Sequence, residues 1–371
     1  MRIVLFCHSL LSDWNHGNAH FLRGVVTELQ VRGHDIHVYE PRDAWSAANL
    51  LLDVGQGALE GVREFYPHLQ ITRYDRTTLD VAEALDGADL VLVHEWNAPE
   101  LVAAIGRHRA SGGRYSLLFH DTHHRSVTEP EAMGSYDLDA YDGVLAFGEV
   151  IRERYVALGW SRRAWTWHEA ADTRVFTPRS APRDGDLVWI GNWGDDERTE
   201  EIRDYLVGPV RSLRLRTRVH GVRYPSEARA ELQQAGIEYG GWLPNYRVPE
   251  VFARYRVTVH IPRRPYVEAL PGIPTIRVFE ALACGIPLVS CWWDDVERLF
   301  RPGIDYLQVR SPEAMKRTLR DVLNDEALAA SLARNGLETV REHHTCARRA
   351  DELLAIVAGL RGTRVEEQLT V

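Results

Sequence analysis

The chain has 371 residues, 45% of them hydrophobic and 26% charged, with a net charge of −9. That length supports two domains with a core each, and the apolar content excludes a disordered chain. Lys316 is the one lysine among 44 basic side chains, and no Gly-x4-Gly-Lys-Ser/Thr run occurs. A P-loop is thereby excluded, any phosphate is held by arginine or backbone N–H groups, and the acidic balance argues against nucleic acid as a partner.

Short aliphatic runs alternate with helical patterns from the first residue, which predicts βα units and parallel sheets. In the first half the runs are Ile3–Cys7, Asp35–Tyr39, Leu90–Val93, Tyr115–Phe119 and Gly143–Phe147. A helix is expected over Ala19–Val31, stopped by Arg32-Gly33-His34. The apolar pattern lapses between Thr177 and Asp186, so a domain boundary is placed at 178/179. The second series is Leu187–Ile190, Leu215–His220, Ile237–Tyr239, Val257–Ile261 and Leu288–Ser290, followed by helices. The expected domains are 1–178, 179–345 and a C-terminal helix and tail, 346–371.

Cys7, Cys284, Cys291 and Cys346 show no metal spacing and read as reduced thiols of a cytoplasmic protein. The longest uncharged apolar-rich stretch, Ala281 to Trp293, contains Gly285 and Pro287 and is too short to span a bilayer.

Eleven of the sixteen histidines lie within residues 1–124, and His8, His94 and His120 each directly follow an expected strand. Ligands of open α/β sheets bind at carboxyl strand ends, so these rings and the loop Asp13-Trp14-Asn15-His16-Gly17-Asn18 are the first candidates for a site. Three readings stand open for the histidines: a zinc site of a metal-dependent hydrolase, rings satisfied in the core or solvent, or, for His120 beside Asp121, hydroxyl orientation or proton transfer. In the second half, Gly191 and Asn192 follow a strand, and their turn lets backbone N–H groups approach a phosphate near Arg198. Arg263 follows another strand. The loop Gly272-Ile273-Pro274-Thr275 opens a short helix bearing Arg277 and Glu280, which places free amides and a guanidinium toward an anion. Glu280, in an otherwise apolar helix, needs a partner, and a sugar diol would serve.

The segment Arg277 to Ser290 resembles the donor-binding segment of GT-B nucleotide-sugar glycosyltransferases, especially family 4 and its spore-maturation (CgeB-like) branch. His16 to His20 with Arg32 to Ile36, Asp89 to Trp96 with Phe119 to Asp121, Glu169 to Pro178, and Gly240 to Pro244 resemble further stretches of that family in order and spacing. The resemblance implies two Rossmann-like domains facing across a cleft, with the C-terminal helix crossing back to the first. It implies transfer, with retention and without a metal or other cofactor, from a nucleoside diphosphate sugar. A UDP-sugar is favoured and a GDP-sugar possible, with a saccharide or small molecule as acceptor. By position, Glu280 would hold the ribose, Gly272, Ile273 and Pro274 the phosphate loop, and Trp242 and Leu243 the base; Gly17 and Asn18 would lie near the diphosphate. His120 and Asp121 would act at the transferred sugar, and Trp14, His16, His94, Trp96 and His123 on the acceptor side. Two departures stand out. Gly272 replaces the first glutamate of the family's Glu-x7-Glu pair, which leaves an inactive binding protein as an alternative. The family's phosphate-contacting lysine is absent, which turns attention to Arg198, Arg263 and, first, Arg277.

Overall fold

The computed structural model describes residues 1–369, with side chains through 362. The last two residues of the expected tail, 370–371, lie outside the described residues. The chain divides into two compact units. Unit 1 is Met1–Glu169 with the segment from Cys346 onward, and unit 2 is Ala170–Thr345. The division therefore falls before Ala170 rather than after Pro178. Ala171 forms a bridge with Thr345 and donates to the His344 carbonyl at 2.9 Å, which ties the stretch after Glu169 into unit 2.

Unit 1 is built on a sheet of β1 (Arg2–Phe6), β2 (Asp35–Pro41), β3 (Ile71–Tyr74), β4 (Leu90–His94), β5 (Ser116–Asp121), β6 (Gly143–Ala146) and β7 (Ala164–Thr166). The order is β3-β2-β1-β4-β5-β6-β7, all parallel. The central strands are buried throughout because helices cover both faces of a parallel sheet. Unit 2 repeats the plan with β8 (Leu187–Ile190), β9 (Thr217–His220), β10 (Ile237–Tyr239), β11 (Val257–His260), β12 (Leu288–Cys291) and β13 (Leu307–Val309), in the parallel order β10-β9-β8-β11-β12-β13. In each sheet the winding reverses beside the first strand, β1 against β4 and β8 against β11. A doubly wound sheet opens a crevice at that point.

The first helix is Asn18–Val31. Gly33, at φ 81°, closes it, with the Gly33 N–H on Gln30 and the His34 N–H on Leu29. This is the left-handed stop that a glycine permits. The last helix, Cys346–Leu369, returns to unit 1 and packs on Asn18–Val31, as the resemblance implied. Trp167 Nε1 donates to the Arg349 carbonyl at 2.9 Å, which fixes its start.

Candidate functional site

Each unit carries a polar cluster at its strand ends, and the two differ in chemistry. In unit 1 the loop after β1 is pinned from below. The buried Glu40 carboxylate accepts the Leu10 and Leu11 N–H groups at 2.8 and 3.2 Å, and the fully buried Asp13–Arg23 pair closes at 2.9 Å. Gly17 is the N-cap residue of the first helix. Asn18 Nδ2 donates to the Thr122 hydroxyl. Trp14, expected on the acceptor side, is 5% exposed, stacks edge-on against Trp45 and donates to Asp53 at 2.5 Å. It braces the loop.

The expected strand Tyr115–Phe119 runs on through Asp121, because β4 and β6 pair with it on both sides: His94 opposite His120, and Asp121 opposite Ala146. His120 and Asp121 therefore lie within the strand and not beyond it. His120 is 1% exposed, its ring 4.8 Å from that of Trp167, and burial lowers its pKa to about 3. Asp121 accepts from Tyr155 Oη and from the His123 N–H, both at 3.0 Å; burial is the main cause that raises its pKa to about 6. The rings form a continuous run, His8–His16 at 5.3 Å, His16–His94 at 6.2 Å and His94–His120 at 5.3 Å. Burial lowers the pKa of every member, for His8 to about 4. Trp96 is the exposed member of the region, with Arg125 over its ring at 4.8 Å and the His123 ring edge-on at 5.2 Å.

Sequence reasoning passed over Glu95 and Thr122. Glu95 is fully buried and accepts both the N–H and the hydroxyl of Thr122 at 3.0 Å. Its pKa is pushed up by burial and by Asp121, with Arg125 opposing. Among the described residues, no group of three or more His, Cys, Asp or Glu side chains is placed to hold a metal ion. His8, His94 and His120 therefore do not form the zinc site that a hydrolase would need.

In unit 2 the cluster is cationic. Gly191, directly after β8, donates to the His220 carbonyl at 2.8 Å and accepts from Tyr224 Oη at 2.9 Å. A methyl group at Gly221 would collide with the Gly191 carbonyl, so the backbones meet there without side chains. Arg198 is spent internally. It donates to Asn192 Oδ1 at 2.8 Å and the Ile261 carbonyl at 2.9 Å and lies over Trp189; its pKa falls to about 9 through burial and then Arg263. Arg263 is neutralised by Glu197 and by Asp195, the latter at 3.1 Å. Trp242 and Leu243, in the loop after β10, are partly buried.

The helix Ile276–Ala283 is the centre of this cluster. Thr275 stands at its N-cap position yet makes no side-chain cap. The reason lies in His260, which sequence reasoning also passed over. Ser290 Oγ donates to the Cys291 carbonyl, so it accepts from His260 Nδ1 at 2.8 Å, and the remaining lone pair on His260 Nε2 takes the Thr275 hydroxyl proton at 3.0 Å. Burial lowers the His260 pKa to about 3, which keeps that lone pair in place. The Val278 N–H donates to the Thr275 carbonyl at 3.0 Å, and with the threonine hydroxyl turned away the Ile276 and Arg277 N–H groups stay open to an anion. Arg277 pairs with Glu280, whose side chain is fully buried. The expected ribose contact of Glu280 thus meets a carboxylate already engaged by arginine. Gly272 adopts φ 92°, donates to the Asp294 carbonyl at 2.6 Å, and has no room for a Cβ beside Glu297. Glycine at 272 is a requirement of the backbone here. Ile273 and Pro274 are buried behind it.

Residues 198–355 match the sequence profile of a family described as glycosyl transferase-like. No curated protein matches the chain in sequence. Among solved structures, sucrose-phosphate synthase from Thermosynechococcus elongatus is similar at a TM-score of 0.68 and 15% identity, over 98% of this chain and 100% of that one. HepE of Anabaena, in complex with UDP and glucose, is similar at 0.69 and 12% identity, over 96% and 99%. An alpha-glucosyltransferase in complex with UDP and a 13-mer DNA is similar at 0.68 and 10%, over 96% and 99%. The fold is GT-B. Within it, unit 1 of this GT-B chain supplies the neutral, histidine-rich cluster and unit 2 the cationic one with the open helix end. No described helix is long and apolar enough to cross a membrane.

Proposed function

We propose that this GT-B chain is a glycosyltransferase of the family 4-like, spore-maturation branch, which moves a sugar from a nucleoside diphosphate sugar to a hydroxyl-bearing acceptor. Unit 2 holds the donor, with UDP-glucose the first candidate and a GDP-sugar the second. Unit 1 holds the acceptor, a saccharide or small molecule. The observation that carries this reading is the uncapped N-terminus of Ile276–Ala283, kept open by the His260–Thr275 bond. A diphosphate there meets free N–H groups and the Arg277 side chain, so its growing charge is stabilised as the sugar leaves, without a metal. Retention is carried over from the motif resemblance, and a cytoplasmic location from four cysteines that are all free thiols.

Nucleic acid is a poor acceptor for a chain of charge −9. The reading is supported by the match of residues 198–355 to the glycosyl transferase-like family and by the UDP and glucose named with a structural neighbour. The test is a thermal-shift and calorimetric screen with UDP, GDP, ADP and dTDP and their sugars, followed by assay of released nucleoside diphosphate. Binding of one nucleotide class and slow release are expected; no stabilisation by any of them overturns the proposal.

A further inference from the structure

The hydrogen bonds around Thr122 determine which protons the buried imidazoles of unit 1 carry. Glu95 Oε1 accepts both the Thr122 N–H and the Thr122 hydroxyl proton, each at 3.0 Å. With its one hydrogen spent, Thr122 Oγ1 can only accept, and it does so from Asn18 Nδ2 and from His94 Nε2, the latter at 3.0 Å. His94 is therefore the Nε2–H tautomer, with a lone pair on Nδ1. That atom is buried and has no hydrogen-bond partner among the described residues. His16 is fixed in a complementary way. One ring nitrogen donates to the Ser9 backbone, and the other, Nε2, is likewise buried and unpartnered among the described residues. The two rings stand 6.2 Å apart between centroids, at the carboxyl ends of β1 and β4.

Two buried lone pairs without a donor are costly, and only a hydrogen-bond donor relieves them. A phosphate, carboxylate or carbonyl oxygen would add further lone pairs. Burial also keeps both rings uncharged, so they attract no anion. We propose that Glu95 and Thr122 are positioning residues that hold His94 as the Nε2–H tautomer, so that His94 Nδ1 and His16 Nε2 each offer a lone pair to an O–H of a neutral polyhydroxyl acceptor. His16, at 7% exposure against none for His94, is the outer ring and the one that shifts to admit the hydroxyl. The assignment of the bound group as an acceptor rests on the glycosyltransferase reading; the tautomer assignment does not.

The experiment is nitrogen NMR on the full-length chain labelled with ¹⁵N-histidine, at neutral pH, for the wild type, Thr122→Val and Thr122→Ser. The expected result is an unprotonated Nδ1 on His94 and an unprotonated Nε2 on His16 in the wild type. Thr122→Val should lose the single His94 tautomer, and Thr122→Ser should restore it. A His94 that carries its proton on Nδ1, or one unchanged by Thr122→Val, overturns the proposal. Glu95→Gln, which can turn an amide N–H toward Thr122 Oγ1, serves as a second variant if Thr122→Val does not fold. Hydrolysis of UDP-glucose, with water in place of the acceptor hydroxyl, supplies the functional arm. Thr122→Val should lower kcat roughly tenfold at unchanged KM, with recovery in Thr122→Ser. An unchanged kcat contradicts the positioning role. A wild type that fails to turn over UDP-glucose counts against the proposed function, while the tautomer result still decides the positioning.

Discussion

Unit 1 and unit 2 share one topology and solve opposite electrostatic problems at equivalent places. At the strand ends of unit 1 the rings are uncharged imidazoles, held neutral by burial and oriented by Glu95, Thr122 and Ser9, with the buried Glu95 and Asp121 carboxyls beside them. At those of unit 2 the polar groups are guanidiniums, most of them already answered by carboxylates or carbonyls, beside a helix end whose N–H groups are open. The difference teaches that the two ends of a doubly wound sheet are assigned by what they can host. Uncharged imidazoles suit hydroxyl groups, and an uncapped helix end suits an anion.

The broadest way to break this comparison is pH. In unit 1, His8 titrates near 4 and His120 near 3, while His16 and His94 are also lowered. An unfolded histidine takes its proton near 6.5, so the unfolded chain binds more protons as pH falls, and folded stability is lost from about pH 6.5 downward. By pH 5 the loss is about 2 kcal/mol for His8 and about as much for His120. Asp121, raised to about 6, works in the other direction and returns roughly 1 kcal/mol over the same range, and the Glu95 and Glu40 carboxyls, both raised by burial, act in the same sense as Asp121. In unit 2 the corresponding rings are His260, near 3, and His220, near 4. Hydrogen exchange at pH 7 and pH 5 should therefore show both units losing protection, with raised carboxyls tempering the loss in unit 1 alone, and Glu95→Gln should deepen the loss in unit 1 while leaving unit 2 as it was. An unchanged loss in unit 1 of Glu95→Gln would break the contrast.

Ion pairs give the next largest effect. Asp13→Ala removes one partner of a fully buried pair in unit 1 and should cost about 3–5 kcal/mol in thermal unfolding, with nucleotide affinity unchanged in the protein that remains folded. Arg277→Ala in unit 2 should instead weaken nucleotide binding by about 1.5–3 kcal/mol, read by calorimetry. Similar behaviour of the two variants would show that the unit 2 arginine is only structural. The smallest expected effect is the sharpest. His260→Ala frees the Thr275 hydroxyl to cap its own helix, which should weaken nucleotide binding by about 1 kcal/mol through competition for the same N–H groups.

Much of this architecture was legible in the sequence. The aliphatic runs marked ten of the thirteen strands among the described residues, and Gly33 marked the first helix stop. The three strands that were missed, β3, β7 and β13, are sheet edges of three or four residues with half-exposed side chains, where burial writes no continuous apolar pattern. The candidate site was legible in part. Arg277 and Glu280 stood out as charges in an apolar helix, but that they pair with each other follows only from helical geometry. Arg198 and Arg263 looked alike as cations after strands, and only the fold shows one bound to carbonyls and the other to carboxylates. Glu95 and Thr122, or His260, Ser290 and Thr275, are brought together by strand pairing across 27 to 30 residues or 15 residues of chain, and spacing alone carries no trace of that. The available signal was position: Glu95 directly follows its strand and His260 is the last residue of its own.

The open end of Ile276–Ala283 is the anion site on which donor binding depends, and Thr275→Asp tests it directly. An aspartate at this N-cap would set its own carboxylate on the free N–H groups and on the positive end of the helix, which stabilises a helix while occupying the anion site. Titration of UDP into wild type and Thr275→Asp, with thermal unfolding of each, should show at least a roughly tenfold loss of affinity in a variant whose melting temperature is unchanged or higher. Equal UDP affinity in the two proteins would contradict the claim that this helix end holds the nucleotide.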